Sequence, residues 1–191
     1  MNVARILYPV RVLGPGNRVG IWLCGCSRGC KGCSNPELWV QRPEYEIEPE
    51  QVYMLVEKIA FKHKIDGFTV SGGEPMDQPK ELARLLKLIT PVSDDILIYT
   101  GYQIEELIAR KDEWTDFILQ NAAVLIDGPY IEELNDSSTI RGSSNQKIHI
   151  VSNVYRKRYT CYLLETHNQI QNFATSEGVV SVGIHRRGFT R

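Results

Sequence analysis

Four short apolar runs, Val19-Gly20-Ile21-Trp22-Leu23, Gly67-Phe68-Thr69-Val70, Ile96-Leu97-Ile98-Tyr99 and Ala123-Val124-Leu125-Ile126, are separated by stretches whose apolar residues recur at helical spacing. This alternation constrains the fold more than any other feature, because strands that take turns with helices build parallel β/α units covered by helices. Between the first two runs, Val52, Leu55, Val56 and Ile59 follow Glu48-Pro49-Glu50, which predicts a helix over 49–63. Leu82, Leu85, Leu86 and Ile89 mark a second helix that Pro91 stops. Ile104, Leu107 and Ile108, then Trp114, Phe117 and Ile118, predict two short helices before the fourth run. Val19–Leu23 reads as the first strand of the chain, Lys147–Val151 as a later one and Val179–Ile184 as the last. No repeat, low-complexity tract or linker divides the 191 residues, and 42% hydrophobic residues suffice for one core.

In a parallel array each strand delivers its following loop to the same rim. The first run is followed by a cysteine-rich loop, the second by Ser71-Gly72-Gly73-Glu74-Pro75, the third by Thr100-Gly101-Tyr102 and the fourth by Asp127-Gly128-Pro129-Tyr130. All four are expected to meet at one mouth. In the second, paired glycines let main chain approach a ligand closely while Glu74 adds a carboxylate, although such a turn by itself is also an ordinary helix entry. Gly14-Pro15-Gly16 precedes a strand, whereas a dinucleotide fingerprint follows one, so it reads as a turn.

The cysteine loop runs Gly25-Cys26-Ser27-Arg28-Gly29-Cys30-Lys31-Gly32-Cys33. Iron–sulfur clusters are ordinarily held by four thiolates, so a C-x3-C-x2-C trio without an obvious fourth partner suggests an iron left open to a small molecule. Cys24 could join the trio in a four-thiolate zinc site, but such sites usually pair two knuckles across a long span, and here every ligand would fall within residues 24–33. Cys24 closes an apolar run and reads as a buried small hydrophobe; Cys161 is remote in sequence and flanked by Tyr159 and Tyr162. A disulfide framework fits five cysteines in a chain of this size poorly, and a reducing, cytoplasmic compartment is expected.

Formal net charge is −1, but residues 151–191 carry 6 basic and 2 acidic groups. Arg156-Lys157-Arg158 and Arg186-Arg187 are expected to be a solvated face rather than a dock for an acidic partner. The basic stretch has no recognisable nucleic-acid module around it, and no apolar run approaches the ~20 residues of a membrane span, so neither nucleic acid nor membrane is an expected partner.

Taken together, the Cys26–Cys33 motif, Ser71-Gly72-Gly73-Glu74-Pro75, Tyr99-Thr100-Gly101-Tyr102, Val124-Leu125-Ile126-Asp127-Gly128-Pro129 and Arg141-Gly142-Ser143-Ser144-Asn145-Gln146 resemble the radical S-adenosylmethionine superfamily. Within it the chain resembles the family that activates anaerobic ribonucleotide reductases. The resemblance implies an α/β fold, a partial (open) β/α barrel of mostly parallel strands with helices on the outside. It also implies one radical S-adenosylmethionine domain over residues 1–191, in which 151–191 extend the core beyond the length of short activators and are expected to add a strand and alter the docking surface.

The implied cofactors are a 4Fe-4S cluster and S-adenosyl-L-methionine, and the implied activity is that of a glycyl-radical activating enzyme. The reduced cluster cleaves S-adenosylmethionine to methionine and a 5′-deoxyadenosyl radical, which removes hydrogen from a glycine Cα of the partner, a glycyl-radical reductase protein. A flavodoxin- or ferredoxin-type protein is the implied electron donor. The cofactors carry the difficult chemistry, so no catalytic acid or base is expected beyond the cluster. By the resemblance, Cys26, Cys30 and Cys33 are the metal ligands. Gly32 and Ser34 place backbone against the adenine, and Gly72, Gly73 and Glu74 meet the methionine ammonium. Thr100 and Asp127 either serve the ribose or a cation or act as structural caps. Arg141 either pairs with the methionine carboxylate or partner protein or makes a loop salt bridge. Pro36 and Trp39 are expected to pack the end of the cluster loop. Alternative activities are another small radical S-adenosylmethionine enzyme, acting on a peptide or small molecule, and a non-catalytic iron–sulfur or zinc module.

Overall fold

The computed structural model describes residues 1–165, 169–176 and 178–185. Six strands form one sheet in chain order, namely β1 (Val3–Val10), β2 (Arg18–Leu23), β3 (Gly67–Gly72), β4 (Ile96–Tyr99), β5 (Val124–Asp127) and β6 (Lys147–Ile150). β2 to β5 are mutually parallel, while β1 and β6 pair antiparallel with β2 and β5 at the two edges. The edges do not meet, so this is an open α/β sheet and not a closed barrel.

Strand alternation sends successive side chains to opposite faces. Val19, Ile21 and Leu23 of β2, Phe68 and Val70 of β3, Ile96 and Ile98 of β4 and Leu125 of β5 face a core shared with α1 (Pro49–Lys62), α2 (Pro79–Ile89) and α4 (Glu113–Asn121). α3 (Ile104–Arg110) adds Leu107 to the same core. The α2 pattern of Leu82, Ala83, Leu85, Leu86 and Ile89, all fully buried, is the period expected of a helix lying flat on a sheet.

The second face is covered in two halves. Leu97, Val124 and Ile126 pack under Tyr159 of α5 (Arg156–Leu164) and under Ile140. Trp22 and Cys24, with Val10, Val12 and Leu13, pack under a separate hairpin of β7 (Ile170–Thr175) and β8 (Gly178–Gly183).

Two expectations need correction. Val19–Leu23 is not the first strand, because β1 precedes it; Arg5 and the Tyr8-Pro9 pair disguise its apolar pattern, and the edge position tolerates proline. α1 to α4 lie on the outside of the sheet as expected, and α5 adds cover on the opposite face. The run 156–158 is only partly solvated: Arg156 and Lys157 are exposed, whereas Arg158 turns inward. Arg158 lies 3.1 Å from Asp95 Oδ2, Tyr159 donates to Asp95 Oδ1 at 2.6 Å, and the wholly buried Arg18 lies 3.2 Å from Asp95 Oδ1. Arg18 also donates to Thr69 Oγ1 at 2.8 Å and to the carbonyls of Phe68 at 2.5 Å and Asp95 at 2.8 Å. This network sits where β2 and β4 begin. The predicted Lys147–Val151 strand is β6 and the predicted last strand is β8, which lies outside the main sheet. Arg186-Arg187-Gly188-Phe189 lies outside the described residues.

Candidate metal centre

The loops leaving the C-terminal ends of β2, β3, β4 and β5 share one cavity of about 170 Å³. Its wall includes Cys26, Cys30, Cys33 and Ser34 from the first loop, Gly72, Gly73 and Glu74 from the second, Thr100 and Gly101 from the third, and Gly128 and Tyr130 from the fourth.

The cysteine loop is closed at its base by two backbone bonds, Gly25 N–H to Leu38 C=O at 2.8 Å and Cys26 N–H to Trp39 C=O at 2.9 Å. It is also fastened to its neighbours. Asp77, just past β3, accepts from Ser27 N–H at 2.8 Å and from Tyr102 O–H at 2.8 Å, and Tyr102 lies between the guanidinium groups of Arg28 and Arg110, 4.6 and 4.1 Å from its ring centre. Three loops thereby hold one another in place, which is how a site on irregular backbone becomes rigid.

The paired glycines have a local cause. Gly73 N–H bonds Leu23 C=O at 2.8 Å and Glu74 N–H bonds Gly25 C=O at 2.7 Å. A Cβ on Gly73 would stand 2.1 Å from the Gly25 oxygen, and Gly72 has φ +109°. The two loops cross so closely that neither position admits a side chain.

Glu74 is almost fully buried. Its Oε1 accepts from Met76 N–H at 2.9 Å and Thr100 O–H at 2.7 Å, and its Oε2 from Gly101 N–H at 2.6 Å. Burial nevertheless dominates and pushes its carboxyl up to about 7, against the opposing pull of these donors. Thr100 therefore reaches the cavity as the residue that positions Glu74.

The three loop thiols are half-buried, and burial pushes each above its ordinary value. Backbone N–H groups of Gly29 and Arg28 for Cys26, of Tyr130 for Cys30 and of Asn35 for Cys33 act in the opposite direction. Each thiol is also raised by one of the other two, so the three lie within electrostatic reach. Among the described residues, however, no three His, Cys, Asp or Glu groups converge at the spacing of a single metal ion. Thiols that surround a common space without converging on one point suit a multi-iron cluster better than a lone zinc. Trp39, on the same wall, directs its indole N–H at the Cys33 sulfur and pulls that thiol down against the effect of burial, which makes it a donor suited to anionic sulfur. The donor set fits a 4Fe-4S cluster. Cys24 does not join it: fully buried, it donates its S–H to Val40 C=O at 2.9 Å, and Cys161 is exposed on α5.

Residues 12–149 match the protein family described as 4Fe-4S single cluster domain. The chain is 34% identical over 152 residues to the anaerobic ribonucleoside-triphosphate reductase-activating protein of Escherichia coli K12, a match covering 74% of this chain and 94% of that protein. The chain belongs to the anaerobic ribonucleoside-triphosphate reductase-activating protein family. Its relative of the same name from Vibrio cholerae serotype O1 is 34% identical over 150 residues, covering 74% and 94% of the two chains. That from Enterobacteria phage T4 is 32% identical over 154 residues, covering 78% and 93%.

Against this family background, three of the expected cofactor residues stand away from the cavity wall. Asp127 is buried and spent on the fold: Oδ2 accepts from Ile104 N–H at 2.8 Å at the start of α3, Oδ1 accepts from Lys147 N–H at 3.2 Å, and His149 Nε2 lies 3.1 Å from Oδ2. The structural-cap alternative describes its position. Arg141 pairs with Asp136 at 2.6 Å, the loop salt bridge. Gly32 is exposed and faces Glu132. Conversely, Arg5, Trp22, Tyr99, Asn135 and Gln146 line the cavity unannounced, as do residues 180–185. Gln146 had a signal, since it ends the Arg141–Gln146 stretch; it donates to Gly128 C=O at 2.8 Å and so braces the fourth loop. Trp22 and Tyr99 followed from strand alternation, which sends them to the face away from α1 and α2.

Proposed function

We propose that this chain is a glycyl-radical activating enzyme for an anaerobic ribonucleoside-triphosphate reductase. When bound, the 4Fe-4S cluster supplies the electron that splits S-adenosylmethionine into methionine and a 5′-deoxyadenosyl radical, which takes hydrogen from a glycine Cα of the reductase. The single observation that carries the reading is the cavity itself, where Cys26, Cys30 and Cys33 share one wall system with Gly72, Gly73 and Glu74 at the ends of four parallel strands.

Cys26, Cys30 and Cys33 would hold the cluster, supplying three protein ligands to it. Raised by burial, they keep their protons until metal displaces them, so loading releases protons. Trp39 and the backbone donors of Asn35 and Tyr130 hydrogen-bond sulfur and tune its charge. Glu74 carries the cationic ammonium of the methionyl group, and contact with a cation lowers its carboxyl from about 7 so that it binds as carboxylate. Ser34 and the Gly72-Gly73 backbone border the same guest. Asp127 and Arg141 support the fourth loop and its successor from outside.

Residues 1–191 act as one functional unit, reduced by a flavodoxin- or ferredoxin-type donor. The cytosol is the compartment this chemistry implies, since exposed clusters and free thiols need reducing surroundings. No helix among the described residues is long and apolar enough to cross a membrane.

Incubating the oxygen-free, reduced enzyme with S-adenosylmethionine and the reductase tests the reading. A glycyl-radical EPR signal on the reductase, with 5′-deoxyadenosine released, is expected. 5′-Deoxyadenosine without that signal would point to a peptide or small molecule as the target.

A further inference from the structure

The hairpin of β7 and β8 lies outside the residues that match the family, yet it supplies Val180 to His185 to the wall that also holds the three cluster cysteines. It shares no strand ladder with the six-stranded sheet. Its seat is one small apolar patch, in which Phe173, Val180, Val182 and Ile184 cover Val10, Val12, Leu13 and Trp22, and Val182 is almost fully buried there. A few side chains tie it down. Gln171 donates to Pro9 C=O at 2.7 Å and accepts from Arg11 N–H at 3.0 Å, and Asn135 donates to His185 C=O at 2.9 Å. The opposite side of the hairpin is solvated, with Val179 73% exposed.

We propose that this hairpin is a resident occupant of the trough in which the target's glycine-bearing segment must lie, and that the target displaces it. The proposal rests on the activase reading above. Three observations carry it. An extended strand already lies along the trough and presents a glycine, Gly183, to the cavity that holds the cysteines, which is the shape and chemistry the reaction requires of its target. With the hairpin seated, Val180–His185 occupy one side of the cavity, and the hairpin covers Leu13 and Trp22 on the cavity wall. A peptide brought to the cysteines from that side competes with it for the same wall. Finally, among the described residues the hairpin has no ladder with the main sheet and packs on it through side chains, and segments held in that way are drawn toward the low-stability end of a structure.

Competition of this kind lowers the apparent affinity for the target by the fraction of molecules in which the trough is open. Hydrogen exchange on the full-length, cluster-loaded protein reads it directly. Adding the anaerobic ribonucleoside-triphosphate reductase is expected to speed exchange at residues 178–185 by about tenfold or more, while Val10–Leu13 and Trp22 become protected. Gln171→Ala, which removes two ties without touching the cavity, is expected to bind the reductase several-fold more tightly, and Val182→Asp more so. If Val182→Asp misfolds, Gln171→Ala alone decides.

Protection of 178–185 in the complex, unchanged exchange there, or weaker binding by Gln171→Ala would overturn the proposal while leaving the activase reading intact. Failure of the reductase to bind at all, with 5′-deoxyadenosine still formed by dithionite-reduced enzyme, would sink the activase reading and the hairpin's role with it.

Discussion

The two rims of the same four parallel strands bury polar groups for opposite purposes. Where β2 and β4 begin, Arg18, Asp95, Arg158 and Tyr159 satisfy one another, and Arg18 alone makes hydrogen bonds to Thr69, Pro15, Phe68 and Asp95. Where the strands end, three thiols are pushed up by burial and by one another against the pull of backbone donors and an indole N–H, and a carboxyl is held near 7. One rim is complete within the chain; the other is completed by guests. Polar burial that closes on itself fixes the fold, and polar burial left in tension marks the site.

The largest effect that separates the rims is expected from Cys30→Ala. It should abolish cluster assembly and cofactor cleavage, read by iron and sulfide content and by 5′-deoxyadenosine release, while the fold persists by circular dichroism. Cys24→Ala and Cys161→Ala should retain both properties, and cluster loss in either would restore a four-ligand site.

The opposite rim should respond in stability instead. Asp95→Ala leaves the buried Arg18 guanidinium without its carboxylate and removes the anchor of α5, and is expected to cost about 3–5 kcal/mol in denaturant unfolding. Unfolding unchanged within about 1 kcal/mol would show that this network is not what joins α5 to the sheet.

Glu74→Gln sharpens the contrast through pH. In the folded chain the Glu74 carboxyl keeps its proton up to about 7, against 4.5 for the ordinary group, so the folded state binds more protons between those values. Its contribution is fully present below pH 4.5 and is lost as pH rises to about 7, a decline of about 3 kcal/mol by the size of the shift. In the unmetallated protein, Glu74→Gln should flatten that decline; an identical slope in both proteins would contradict the assignment.

Smaller effects are expected where a conspicuous residue supports the site from outside. Asp127→Asn should cost about 1 kcal/mol of stability, as capping groups do, with S-adenosylmethionine affinity unchanged when measured by equilibrium binding. Arg141→Ala removes one partly exposed ion pair and should change stability by no more than ~1 kcal/mol.

These residues also show where sequence reasoning succeeds. The rim was legible because a parallel β/α array fixes where loops go, so Cys26, Gly73, Thr100 and Gly128 could be placed together without knowing a single contact. Whether a side chain then faces the cavity or the fold is decided by local geometry. Asp127 ends a strand just as Glu74 follows one, yet Asp127 turns toward the first amide of α3. The paired glycines were expected to admit a ligand, and the structure adds a nearer cause, the crossing with Gly25. β1 was hidden because an edge strand with Arg5 and Pro9 carries little apolar signal. Arg158 was hidden because a charge run says nothing about a buried carboxylate far away in sequence.

The central claim is an iron centre with protein thiolates at three positions and a fourth reserved for S-adenosylmethionine. EPR of the reduced, oxygen-free protein recorded before and after adding S-adenosylmethionine tests it most directly. A distinct change in the cluster spectrum on addition, before any turnover, is the result predicted. A spectrum that stays the same at saturating S-adenosylmethionine, from a centre whose irons all carry protein ligands, would contradict it.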